Sequence, residues 1–478
     1  MSSPLTSGEY PTYRGLPALA GLCSMEEALR PGISVEECVR RLKRYHYAFK
    51  RLHEIFIKRL ASEPVYELKM AFSYHAHLCA EHITALLARV AEMREPPLGL
   101  EAVPDPALEI FFDEIRAAPG TQALVAGVYG AAIPALQAAL GRHIHATHPV
   151  ADAPSRRVCR FALLELEDIA AFGKKALESL GEAHAAPADW QELLQDCLHA
   201  AGGLDGTEMP SGKQPRRLHS ASPYQYDKVP RRDERFPDPY NMGVNAEAFL
   251  YDESYPARAK VLMLYYKRLR EIDVPEMMSS ILAEMEGKPW PFYRDMTRQL
   301  WDEARHALLG EIGFASLNLP WAELVPINFN WSLGLNTQLT AQERHAVLYF
   351  IEQGLMPRSG KRFEWEVAAE AGNELAILFQ DYDWADEVLH AHLGQKWYVA
   401  SMPSRSEALQ YGDESWSKVF LNWERWREEG LTQHANWWPE LYRAACKEWG
   451  SEPDPHVLAF AVSYANQRAD LKNVSGPA

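Results

Sequence analysis

Two six-residue stretches decide how this chain is to be read: Trp301-Asp302-Glu303-Ala304-Arg305-His306 and Ala385-Asp386-Glu387-Val388-Leu389-His390. Both read Asp-Glu-x-x-His inside helical patterns. Residues three apart on a helix share a face one turn apart, so a Glu and a His at that spacing can reach one metal ion together. One such motif is commonplace on a solvated helix face. Two copies on neighbouring helices of one bundle offer two half-sites, and a di-iron or di-manganese carboxylate centre adds one Glu from each of two further helices. Carboxylate and imidazole donors suit iron or manganese.

The further carboxylates have candidates. Glu271 and Glu276 precede Glu303 by 32 and 27 residues, the distance of one helix, a turn and the next helix. Glu276 is the first choice, and Pro275 immediately before it keeps Glu271 open. Glu352 sits in an apolar patch, Tyr349-Phe350-Ile351-Glu352-Gln353-Gly354, 35 residues ahead of Glu387. A buried carboxylate there needs a partner, which a cation supplies. Asp302 and Asp386 read either as solvent-facing helix residues or, the favoured role, as acceptors for the imidazole N–H of the histidine on the opposite helix. Trp301, Tyr266, Tyr349, Tyr382 and Trp384 lie near these positions as core packing, or in a sharper role as an electron relay.

Working outward, helical periodicity covers residues 257–285, 290–316, 340–355 and 364–400, with further stretches near 415–430 and 437–448. Towards the N-terminus, Cys38, Leu42, Tyr45, Phe49, Leu52 and Phe56 recur at three and four. Pro64 separates that helix from the next, Pro119-Gly120 breaks a region running from about 106 to 145, and Gly181 stops one from about 153 to 180. Between lies a polar stretch rich in Pro and Gly, carrying Tyr224, Tyr226, Phe236, Tyr240, Phe249 and Tyr251, which implies a segment that packs on the folded parts. The expected fold is all-α: an N-terminal helical bundle over 1–200, a connector over 201–255, a four-helix metal-binding domain over 256–400 and a helical extension over 401–478.

The motifs carry a family resemblance. Residues 256–400 resemble the ferritin-like superfamily of di-metal carboxylate proteins. They are most similar to an uncharacterised bacterial ferritin-like family related to the tRNA hydroxylase that acts on methylthio-isopentenyladenosine. The resemblance rests on Arg270-Glu271-Ile272-Asp273-Val274-Pro275-Glu276, on Phe292-Tyr293-Arg294-Asp295 leading into Asp302 to His306, on Ile351-Glu352-Gln353-Gly354-Leu355, and on Asp386 to His390 followed by Gly394 and Trp397. It implies a ligand set of Glu276, Glu303, His306, Glu352, Glu387 and His390 holding two iron ions, or manganese, with dioxygen as co-substrate. The implied activity is a non-haem di-iron oxidase or oxygenase acting on a small molecule, with an electron donor or reductase as partner.

Aligning Gly173 with Gly394 sets Leu166 where Glu387 stands and Ile169 where His390 stands, so the first bundle reads as a degenerate copy without ligands. His75, His77 and His82 beside Glu81, and His143, His145 and His148, read as core or surface histidines.

Composition narrows the classes. With 478 residues, 47% hydrophobic and 24% charged, the chain buries a sizeable core. A formal charge of −16 disfavours a nucleic-acid partner, and with it tRNA hydroxylation, since such binding rests on a positive footprint. An iron-handling ferroxidase and a metal-free interaction protein are the other rival classes. Six scattered cysteines fit a reducing cytoplasm. Met1 to Arg14 lacks the pattern of an export signal, and no apolar run is expected to reach the roughly 18 residues of a membrane span. A homodimer is the default expectation for assembly.

Overall fold

The computed structural model describes residues 10–93, 99–181, 187–357, 359–419 and 423–464. Every regular element among them is a helix. The chain divides into two compact units, one comprising residues 1–56 and 75–225 and the other 57–74 and 226–478. These boundaries correct the expected ones. Residues 57–74 belong with the C-terminal part, and the 201–255 stretch is divided between the units rather than standing alone. Within the second unit, Phe236, Val244, Phe249 and Leu250 of that stretch are buried.

The first unit is built on α1 (Val35–Leu60), α2 (Tyr66–Met93), α3 (Pro106–Arg116), α4 (Thr121–Ala146), α5 (Ala153–Leu180) and α6 (Ala188–Ala200), with the 57–74 portions of α1 and α2 counted in the second. The apolar stripe of α1 is buried throughout, from Cys38 to Phe56. A π-turn at Ala126–Ala132 interrupts α4. Because α4 carries no charge from Thr121 to Leu140, it is long and apolar enough to cross a membrane by length and composition, which corrects the expectation that no such run exists. Here 67% of its apolar window is buried inside the protein, as the core helix of this unit. Glu114 of α3 is fully buried and accepts hydrogen bonds from the backbone N–H groups of Leu218, His219 and Ser220 and from Trp190 Nε1. This ties the 201–225 segment and α6 to α3.

In the second unit, α7 (Ala257–Arg270) and α8 (Asp273–Glu284) together form the first wall of a four-sided bundle. The others are α9 (Trp290–Ser316), α11 (Ala341–Gly354) and α13 (Glu374–Trp397), with α10 (Asn330–Gln338) between the second and third. Contacts close the ring: α7 and α8 pack on α9, α9 on α13, α13 on α11, and α11 on α8. Two helices expected to be continuous are split. The first wall breaks at Glu271–Ile272, ahead of Pro275. The 364–400 pattern divides into α12 (Lys361–Glu370) and α13, because Gly372 adopts a left-handed φ of 64° and Asn373 caps the new helix through Ala376 N. Outside the ring lie α14 (Arg405–Val419), against α11, and α15 (Trp438–Trp449), whose buried Trp438 packs on Phe249.

Close helix crossings depend on absent side chains. A Cβ on Gly310 of α9 would lie 2.2 Å from Leu269 N and 2.6 Å from Tyr265 O of α7. Gly394 of α13 receives the ring of Tyr349 from α11, and Gly173 of α5 receives that of Tyr129 from α4.

Candidate metal centre

The two Asp-Glu-x-x-His segments lie on α9 and α13, which run side by side and turn these residues towards each other. Glu303, His306, Glu387 and His390 are each at most 2% exposed. The histidine rings stand 5.9 Å apart, centroid to centroid. Glu303 lies between them, with Oε1 3.0 Å from His390 Nδ1 and Oε2 3.5 Å from His306 Nδ1. One carboxylate therefore addresses both half-sites, the geometry of a bridging ligand.

The first half-site gathers Glu303, Glu352, Glu387 and His390, whose donor atoms come within 4.8 Å of one another. Glu387 Oε2 is 3.4 Å from His390 Nδ1, and Glu352 Oε1 accepts from Gln299 Nε2 at 3.0 Å. The second half-site gathers Glu271, His306 and Asp383. His306 Nδ1 is 3.4 Å from both Glu271 Oε2 and Asp383 Oδ1.

The other ring nitrogens face the aspartates of the opposite helix. His306 Nε2 is 3.2 Å from Asp386 Oδ2, and His390 Nε2 is 3.4 Å from Asp302 Oδ2. Arginines hold these aspartates: Arg298 donates to Asp302 at 2.9 Å and Arg305 reaches both Asp302 and Asp386. Held at Nε2 by an aspartate of the other helix, each imidazole turns Nδ1 towards the cluster, the orientation a metal-binding histidine takes.

The sequence expectation for the first helix is corrected. Glu276 is fully buried but lies away from the cluster, paired with Lys69 and Arg232 and accepting from Ser332 Oγ at 2.7 Å. The break at Glu271–Ile272 is the physical reason. It leaves Glu271 at the C-terminal end of α7, facing His306, and rotates α8 so that Glu276 looks towards α10 and the start of α2. Asp383 was not anticipated, although it sits four residues before Glu387 and so on the same helix face. Lys361 and Arg268 were missed as well. Lys361 Nζ donates to both oxygens of Asp383 and to Glu387 Oε1, each at 2.9 Å, while Arg268 pairs with Asp383 and, at 2.8 Å, with Glu271.

Charge is concentrated here: burial works against the His306 and His390 charges, yet the carboxylates around them, Asp383 beside His306 and Asp302 beside His390, push both imidazoles well above their usual range. Burial and the neighbouring Glu387 push the Glu352 carboxyl well above the usual range. Burial works against the Glu387 charge too, yet Lys361 beside it holds that carboxyl well below. The residues fit a metal ion on a direct observation: His306 Nδ1, Glu271 Oε2, His390 Nδ1 and Glu387 Oε2 are all buried and face one another at ion-pair distances without forming a directed hydrogen bond. That is two such donor atoms in each half-site, all oxygen or imidazole nitrogen.

A cavity of about 450 Å³ opens onto the cluster, with Glu271, Glu303, Glu352 and Glu387 in its wall. The rest is largely apolar, including Met277, Trp331, Leu335, Leu348, Ile351 and Leu355. Its outer cations are matched, Arg270 by Glu247 at 2.7 Å and Lys267 by Glu364.

The aromatic candidates scatter. Tyr266 and Tyr349 are buried in packing, Trp301 stacks near Tyr74 at 4.7 Å, Trp384 is half-buried and Tyr382 is 61% exposed. In the first unit His75 is buried against the Tyr129 hydroxyl at 2.9 Å, and His82 pairs with Glu165 at 2.7 Å. His143 groups with Cys38 and Asp152. There the Cys38 thiol, pushed up to about 12 by burial and by Asp152, is 3.0 Å from the Asp152 carboxylate, which Arg89 also holds. His143 Nε2 lies 3.8 Å from the Cys38 sulfur, and its Nδ1 is buried with no hydrogen-bond partner.

No family model, no curated protein and no solved structure matches this chain.

Proposed function

We propose that the second unit is a ferritin-like di-metal carboxylate bundle and that the protein is a non-haem di-iron oxidoreductase acting on a small, mostly apolar molecule. The observation that carries this reading is Glu303, with one oxygen turned to each of two inward-facing imidazole nitrogens. Ligands would come from Glu303, Glu352, Glu387 and His390 on one side and Glu271, His306 and Asp383 on the other, and Glu276 is not among them. When bound, a pair of ferrous ions supplies the reduction of dioxygen that protein side chains cannot perform, with electrons from an external donor or reductase.

The chain's own contributions follow from the geometry. Asp302 and Asp386 orient the imidazoles. Arg298 and Arg305 hold those aspartates in place. The apolar walls of the cavity exclude water and hold a substrate against the cluster. Because each cation of the outer cavity already has a carboxylate partner, the substrate expected is uncharged over most of its surface.

The first unit supports a second proposal, that it repeats this plan without ligands. Gly173 accepts Tyr129 as Gly394 accepts Tyr349. Seven and four residues before these glycines stand buried Leu166 and Ile169 in one unit and Glu387 and His390 in the other. The pair of His82 and Glu165 corresponds to that of His306 and Asp386, and buried Cys79 then falls at the place of Glu303.

The test is metal analysis of protein expressed with added iron, alongside Glu303→Ala and Glu387→Ala. Bound iron, up to two ions per chain, that is lost from both variants supports the reading. Iron unchanged by both substitutions sinks it.

A further inference from the structure

The two half-sites are not equivalent. Among the described residues no lysine or arginine pairs with Glu303 or Glu352. At the other half-site a cation already stands. Lys361 Nζ lies 2.9 Å from both oxygens of Asp383, 2.9 Å from Glu387 Oε1 and 3.7 Å from Glu271 Oε1. Glu387 is thus shared, with Oε2 towards His390 and Oε1 towards the ammonium. This is the arrangement expected of a bridging carboxylate whose second metal position is filled by a lysine.

Resting on the di-metal reading, we infer that Lys361 is an internal stand-in for the second divalent ion, competing with it for Glu387, Asp383 and Glu271. The first ion enters Glu303, Glu352, Glu387 and His390 without displacing any cation. The second enters only as the ammonium leaves. The side chain has the means to leave, since a lysine carries its charge on four flexible carbons, and Lys361 itself borders the 450 Å³ cavity. Its backbone stays fixed while the side chain moves. Lys361 N bonds Leu355 O at 3.2 Å, and Gly360 packs so closely on Leu355 that a Cβ there would lie 2.2 Å from the carbonyl oxygen. Loading of the second ion therefore sends a positive charge into the space reserved for substrate. Arg268, paired with Asp383 and Glu271, remains to hold these carboxylates together in either state.

The experiment is a calorimetric titration of the full metal-free chain with Mn²⁺, for the wild type and Lys361→Met, with bound metal counted independently. The wild type is expected to bind two ions whose dissociation constants differ by about a hundredfold or more. Lys361→Met should narrow that gap by at least about tenfold, through a tighter second ion. Two wild-type ions of like affinity, or a second ion indifferent to the substitution, overturn the role of Lys361 while leaving the metal centre standing. No Mn²⁺ bound by either protein overturns both. A measurement on the wild type alone covers the case in which Lys361→Met does not fold: acetylation of Lys361 by acetic anhydride, read by peptide mass spectrometry. Labelling should accelerate several-fold between one and two equivalents of Mn²⁺, and an unchanged rate overturns the proposal.

Discussion

Asp386 Oδ2 lies 3.2 Å from Nε2 of His306, a residue of the opposite helix, and the pair is mirrored by Asp302 and His390 at 3.4 Å. Each Asp-Glu-x-x-His segment thus supplies a carboxylate and an imidazole inward and lends its aspartate to the other segment's histidine. Asp302→Asn or Asp386→Asn keeps the volume and removes the charge that fixes the tautomer. Each is expected to weaken metal binding by about 10–100-fold with little change in fold, measured by competition with a chelator of known affinity. Unchanged affinity in both would leave the aspartates as mere partners of Arg298 and Arg305.

Glu276 and Glu271 should separate cleanly. Glu276→Gln takes from Lys69, 0% exposed, the carboxylate it pairs with, and leaves Arg232 only Asp273 of its two carboxylates. A loss of about 3–5 kcal/mol in folding stability is expected, with metal stoichiometry intact in the folded fraction. Glu271→Gln should do the reverse, sparing stability and depleting the second ion. Urea unfolding and metal counting on both variants decide the matter, and metal loss in folded Glu276→Gln would restore the residue to the ligand set.

Why the sequence pointed to the neighbouring glutamate is instructive. The Asp-Glu-x-x-His segments were legible because ligand spacing and helix period coincide, and Glu352 because a lone carboxylate interrupted an apolar face. The choice between Glu271 and Glu276 turned on where a helix breaks. Pro275 signalled the break but not its phase, since proline is tolerated in the first turn of a new helix and that is where it stands. Asp383 was visible in principle, one turn before Glu387. Lys361 was not: it begins a helix after a loop, and only the tertiary fold shows that its ammonium is 1% exposed among carboxylates. Of the aromatic residues expected to pack in the 226–255 stretch, Phe236 and Phe249 are buried while Tyr251 is 47% exposed, and the unit boundary inside α1 and α2 leaves no mark in composition.

Gly310 links packing to the carboxylate–histidine cluster. A methyl group there meets backbone atoms of Leu269 and Tyr265, which cannot swing aside as a side-chain end can. Gly310→Ala must push α7 from α9, at a cost of about 1–3 kcal/mol. Because Glu271 lies two residues beyond Leu269, the variant should also lose affinity for the second ion. Gly354→Ala, where a Cβ meets nothing within 4 Å, is the control and should change neither. Equal melting temperatures for the two variants would refute the close crossing.

Acid should destabilise the first unit over a window set by its buried histidines. Burial lowers His46 and His143 to about 4, and both are at most 2% exposed. In the unfolded chain they titrate near 6.5. Between these values the unfolded state binds protons that the native state refuses, so stability is complete above about pH 6.5 and declines as pH falls towards 4. Each histidine contributes a slope approaching 1.4 kcal/mol per pH unit, about 3 kcal/mol apiece across the window. Carboxylates that hydrogen bonds hold low against burial, Asp113 through Arg217 and Arg51 and Asp152 through Ser155, Cys38 and Arg89, add their loss only at lower pH, so the window between 4 and 6.5 belongs to the imidazoles. Urea midpoints measured from pH 7.5 to 4.5 should be level at first and then fall. His46→Leu should make the fall shallower, because an apolar side chain of similar reach has no proton to take up. A midpoint that stays level down to pH 4.5, or a slope unaltered by His46→Leu, would show that these imidazoles are solvated enough to protonate in the native state.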